Sequence, residues 1–218
     1  MSRLTRLTRA HNALRNVGYD GPADLETMLA FCTHVPSGAA RNILTVNSAK
    51  VEKGLKYGYL NAVCYLAPAR EAGLGLTVCP WAGACEGPCL RDTGRMRFPE
   101  AHKARVCRTV WWYLARPSFI TRVEFEIRRL ERKAQRENLG VVVRMDGTSD
   151  LPWHKWIGMA AFPKVKFNDY TKGPVSADLP SNYRKIYSLS EGPTSAQYAF
   201  ETLRAGGTVA VVVAGTTD

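Results

Sequence analysis

The chain has 218 residues, 45 % of them hydrophobic, enough to bury one main core with at most a small appendage. No stretch approaches the roughly 18 uninterrupted apolar residues of a membrane span, and the opening MSRLTRLTRAHNALR lacks the apolar run of a secretory signal. A cytoplasmic protein with no membrane partner is therefore expected. The formal charge of +11 attracts polyanions, because neutralised phosphates release counterions, but no zinc-finger, RNA-recognition or homeodomain pattern accompanies it.

The first 36 residues read as one or two short helices, with Pro22 suited to a first helical turn, before Pro36-Ser37-Gly38 breaks the chain. Residues 1–38 are thus expected to form a helical appendage and 39–218 the main domain. From Asn42 the pattern changes to short apolar runs. Ile43–Val46 and Tyr57–Leu60 are expected strands or a hairpin, and Gly73–Val78 reads as a strand feeding the loop that follows. Two helices come next, Pro99–Leu114 and Ser118–Asn138, divided at Arg116-Pro117. In the second, Phe119, Val123, Ile127, Leu130 and Ala134 fall on one face, and Gly140 is the expected stop. Basic residues recur at Arg3, Arg6 and Arg9, from Arg91 to Arg108 and from Arg122 to Arg136.

In the last third, β-rich runs start near Val141, Val165, Ile186 and Val209, spaced 24, 21 and 23 residues apart. Strands alternating with helices at this interval imply right-handed β/α units and a parallel sheet. Thr194–Leu203 reads as a good helix, Trp153–Met159 as an acceptable one and Asp178–Lys185 as a marginal one. The expected fold is α/β, a partial or small (β/α) barrel-like domain, since a complete barrel takes about 250 residues. The last run, Thr208–Ala214, is an apolar strand whose edge needs a cover.

Six cysteines in a reducing compartment point to metals or catalysis rather than to disulfides. Cys32, Cys64 and Cys107 stand alone, and burial accounts for Cys64 and Cys107. Cys79, Cys85 and Cys89 lie within eleven residues, in the loop CPWAGACEGPC. Its small residues let backbone approach a sulfide-bearing cluster closely, and Arg91, Arg95 and Arg97 offset the cluster's charge. Three thiols in one loop suit a four-iron, four-sulfur cluster whose last iron is liganded remotely or open. The Cys-x5-Cys-x3-Cys spacing differs from the Cys-x3-Cys-x2-Cys of radical S-adenosylmethionine enzymes. Zinc, with His102 as the nearest further ligand, is the alternative. Asp146 and Asp150, Asn168 and Asp169, and Ser188, Ser190 and Glu191 end successive apolar strands. They are expected around one mouth at the carboxyl ends of the sheet.

Several motifs also carry a resemblance: Tyr65-Leu-Ala-Pro-Ala, the cysteine loop, Asp146-Gly-Thr-Ser-Asp-Leu-Pro-Trp, Phe167-Asn-Asp-Tyr-Thr-Lys and Asn182-Tyr-Arg. In this order they resemble a family of phage-encoded iron–sulfur proteins of unknown activity. That family has a small TIM-barrel-like fold distantly similar to radical S-adenosylmethionine domains. The resemblance runs from about Asn42 to the last residue and leaves the amino-terminal helices outside it. It implies cluster ligation by Cys79, Cys85 and Cys89 and a mouth lined by Asp146, Asp150, Asn168, Asp169 and Lys172. Family members commonly have one more residue between the first two cysteines. It also implies a host cell's cytoplasm as the location.

Two functions follow as expectations. One is redox or radical chemistry at the mouth, with S-adenosylmethionine as a ligand. The other is a non-enzymatic protein in which the cluster is structural or redox-sensing and the basic surface engages nucleic acid or a host protein. Salt-sensitive nucleic-acid binding separates the second from the first.

Overall fold

The computed structural model describes residues 1–34, 42–46 and 52–213; the expected break at Pro36-Ser37-Gly38 lies outside the described residues. Helix α1, Arg3–Arg15, starts where the Ser2 hydroxyl accepts the Thr5 N–H, and α2, Leu25–Thr33, where the Asp24 carboxylate accepts the Thr27 N–H at 2.9 Å. Pro22 is not in the first turn of α2. It sits before the cap, and its carbonyl accepts the Tyr19 hydroxyl. Both helices pack against α3, Pro99–Leu114, and share its core through Ala10, Leu14, Met28 and Cys32.

Helix α4, Arg116–Glu137, buries Phe119, Val123, Ile127 and Ala134, with Leu130 half-buried, as its periodicity predicts. Pro117 lies inside its first turn, where a missing N–H costs nothing. The helix ends at Asn138 in the left-handed conformation, φ 53°, while the expected stop, Gly140, opens a strand. Two arginines expected on a basic surface are interior. Arg105 donates to the Met96 carbonyl at 2.7 Å, and Arg108 donates to the carbonyls of Asn42 and Tyr65.

The strands are β1 Leu44–Thr45, β2 Tyr59–Cys64, β3 Gly140–Arg144, β4 Val165–Thr171, β5 Tyr183–Ser188 and β6 Thr208–Ala210. Among the described residues they form one sheet in chain order, β1 antiparallel to β2 and all later pairs parallel. The chain is therefore α/β with a mostly parallel sheet. The long crossover from β2 to β3 carries α3 and α4, and the one from β5 to β6 carries α5, Ser195–Arg204.

The intervening crossovers depart from the expected helices. Trp153–Met159 is not an α-helix but lies across two 3-10 turns, Trp153–Lys155 and Met159–Ala161. The Asp146 carboxylate accepts the Ser149 hydroxyl, the Leu151 N–H and the Trp153 indole N–H, which anchors the entry to this segment on β3's end. Asp178–Lys185 is irregular until β5 begins at Tyr183, because Asn182 donates from its amide to the carbonyls of Met159, Phe162 and Val165. Gly73–Val78 is not a strand either. Gly73 and Gly75 take φ values of +67° and +69°, which an extended strand cannot use.

Alternation sends Val141, Val143, Val165, Phe167 and Tyr183 to one face of the sheet, into the same core as the apolar stripe of α4. Among the described residues no helix is long and apolar enough to cross a membrane.

Candidate functional site

The carboxyl ends of β2 and β3 are tied together just beyond the sheet. The Gly147 N–H donates to the Cys64 carbonyl at 3.0 Å, and the Thr148 hydroxyl donates to the Leu66 carbonyl at 2.6 Å. Gly147 has to be glycine, because a Cβ there would collide with the Cys64 carbonyl. The Asp150 N–H then donates to the Val78 carbonyl at 2.8 Å, which brings Cys79 to the mouth without a strand of its own. Ala69 adopts φ +49°, strained for a residue with a Cβ. Its N–H donates to Cys79 Sγ at 3.3 Å, while the thiol donates to the Thr148 carbonyl at 3.4 Å. Burial pushes the Cys79 thiol up to about 12, and the nearby Asp150 carboxylate adds to the shift.

Cys79, Cys85 and Cys89 line one cavity of 170 Å³, comparable with the roughly 150 Å³ cavity that admits benzene in an engineered protein. Among the described residues no three His, Cys, Asp or Glu side chains gather closely enough for a single metal ion. His102, the imidazole nearest in sequence, is turned to Glu71, with Nδ1 3.1 Å from the carboxylate.

Of the residues expected at the mouth, Asp146, Asp150, Lys172 and Ser188 line the same cavity. Ser190 and Glu191 line an adjoining one of 250 Å³, which shares Trp81, Ala82 and Lys172 with the first. Asp169 is fully buried and lies beneath the mouth rather than in its wall. It accepts the Asp146 N–H at 2.6 Å and the Tyr183 hydroxyl at 3.1 Å. Asn168 faces away, because strand alternation puts it on the opposite side of the sheet from Asp169.

Sequence reasoning missed Lys185, Arg144, Tyr170 and Trp81. Lys185 Nζ is 3.3 Å from both Asp146 and Asp150 and donates to the Leu151 carbonyl. Burial alone lowers such an ammonium, but the Asp146, Asp150 and Asp169 carboxylates outweigh it and hold Lys185 above its ordinary value. Burial outweighs the lysine at the carboxylates, so Asp146 is raised and Asp169 well raised. Arg144 donates to the Asp146 carbonyl and lies 4.9 Å over the Tyr170 ring. Trp81 packs so closely on Gly173 that a Cβ there would meet its indole. Trp81 and Tyr170 stand in the quoted motifs; Arg144 and Lys185 lie just outside them.

Residues 38–218 match the family described as Gene product 88. The chain belongs to the Gene product 88 family. The matched span of this Gene product 88 chain contains the whole sheet and the cysteine cavity, and leaves α1 and α2 outside. No curated protein and no solved structure matches the chain.

Proposed function

We propose that this Gene product 88 protein binds a four-iron, four-sulfur cluster through Cys79, Cys85 and Cys89 and uses it for redox or radical-type chemistry at the sheet's mouth. The observation that carries the reading is the placement of three thiols from one short loop around a single cavity, beyond the carboxyl ends of parallel strands. The donor set suits such a cluster, since thiolates are its usual protein ligands. The Ala69 N–H already directed at Cys79 Sγ is the kind of hydrogen bond that tunes such sulfurs. When bound, a cluster held by three thiolates supplies electrons and keeps one iron for a ligand that the protein does not provide.

The chain's own residues prepare the rest of the cavity. Arg91, Arg144 and Lys172 bring positive charge to its wall, Trp81 and Tyr170 provide ring surfaces, and Asp150 is held in place by Lys185 and the Thr171 hydroxyl. A small zwitterion or anion such as S-adenosylmethionine suits this lining. The zinc alternative is less favoured because His102 is engaged with Glu71. A sheet parallel from β2 to β6, with the cavity at its carboxyl end, supports reading the domain as a partial β/α barrel.

The test is anaerobic purification with iron and sulfide analysis, followed by electron paramagnetic resonance of the reduced protein with and without S-adenosylmethionine. About four irons per chain and a signal that shifts on adding the ligand support the reading. A cluster that ignores the ligand removes the radical part of the proposal, and zinc without sulfide overturns it entirely.

A further inference from the structure

The sheet's second face has a chemistry of its own. Register places Val142 beside Lys166 and Asn168 beside Arg184, and one step further along β3 and β4 sets Arg144 beside Asn168. Arg144, Asn168 and Arg184 therefore form a row across three strands, with neighbours about 4.8 Å apart, and Lys166 and Tyr170 lie on β4 roughly 6.6 Å to either side.

Cations and rings alternate over this surface. Arg144 covers Tyr170, which is 40 % exposed, and Lys166 lies 4.9 Å over Tyr59 while donating to its hydroxyl. No carboxylate occupies this face of β3, β4 or β5. Arg144, Lys166 and Arg184 make no ion pair with any described carboxylate. Asn168 keeps its Oδ1 buried without a partner. Arg144 and Tyr170 also line the cysteine cavity, so the face runs into it, with Lys172 at the junction.

We propose that this sheet face binds a single strand of nucleic acid, with phosphates on Lys166 and Arg184, a base stacked on Tyr170 and the strand leading toward the cysteine cavity. Unstacked bases and a charged backbone match interleaved rings and cations, whereas a duplex hides the faces of its bases. An acidic peptide's carboxylates match the cations alone and leave the exposed ring of Tyr170 unused. The proposal stands whether or not the cysteines hold a cluster.

Fluorescence anisotropy of the full chain with a labelled strand of about 12 nucleotides, prepared both as DNA and as RNA, tests it. The single strand is expected to bind more tightly than its duplex, to resist competition by poly-glutamate, and to tell by the tighter of the two which sugar is preferred. Lys166→Glu combined with Arg184→Glu is expected to weaken binding at least ~10-fold and to make the salt dependence shallower by about 1.4 log units per log unit of salt. Tyr170→Ala is expected to weaken it about tenfold while Tyr170→Phe retains it. Should the charge-reversed protein not fold, Lys166→Gln with Arg184→Gln carries the same test with a smaller effect. Arg129→Glu, on α4 and away from the face, is the control that leaves affinity within about twofold. Preference for the duplex, equal competition by poly-glutamate, or unchanged affinity in both the charge and the Tyr170→Ala variants overturns the proposal.

Discussion

Cys79 and Cys89 are half-buried and Cys85 is exposed, yet all three border one cavity, so each single change to Ala is expected to abolish cluster incorporation. Iron content per chain checks this, and a full cluster in all three variants would remove the ligand assignment. Beneath the cavity, Lys185 is the counter-charge to Asp146, whose side chain is fully buried. Removing one partner leaves a buried charge unpaired, so Lys185→Met is expected to cost about 3–5 kcal/mol in urea unfolding. Asp169 adds a pH dependence. Its carboxyl is raised well above its ordinary 3.8, by burial first and the Asp146 charge second. The folded state therefore keeps a proton that the unfolded chain has released. Its contribution to stability is complete below the ordinary carboxylate range and is lost as pH rises through the raised value. Asp169→Asn is expected to flatten that decline, read as urea midpoints of both proteins at about pH 5 and about pH 8; parallel declines would refute it.

Among the elements, α4 is the one whose pattern was most legible, because an amphipathic stripe repeats regardless of what packs on it. Ile127 is fully buried on that stripe, and Ile127→Ala is expected to cost about 2–5 kcal/mol through lost transfer energy and the cavity left behind. The segments that defied the sequence are those whose conformation depends on distant partners. Trp153–Met159 lies across 3-10 turns with the Trp153 indole held by the distant Asp146 carboxylate, and Gly73–Val78 bends at two left-handed glycines. Gly147 belongs with them. Gly147→Ala meets a carbonyl that cannot move without parting β2 from β3, so the variant is expected to melt well below the wild type and to lose the cysteine cavity, checked by thermal unfolding and by iron uptake.

Across the whole molecule, α1 and α2 are built into the core of the domain. Arg6 donates to the Tyr113 carbonyl, and the buried Cys32 of α2 and Cys107 of α3 belong to the same core. Removing residues 1–34 is expected to uncover α3 and lower the melting temperature, with binding of a hydrophobic dye as a second readout; a truncated chain that melts like the full one would show these contacts to be dispensable. The sequence by itself determined the α/β class with parallel strands in its last third, the stripe of α4 and the crowding of three cysteines, since periodicity and local spacing are properties of neighbours along the chain. Only the tertiary structure decided which polar residues meet. It put Asp169 under the mouth, turned Asn168 to the far face, supplied Lys185 from the buried face of β5, and brought Cys79 to the mouth through the carbonyl of Val78. Each of these outcomes rests on strand register and on hydrogen bonds between segments remote in sequence, which no local pattern encodes.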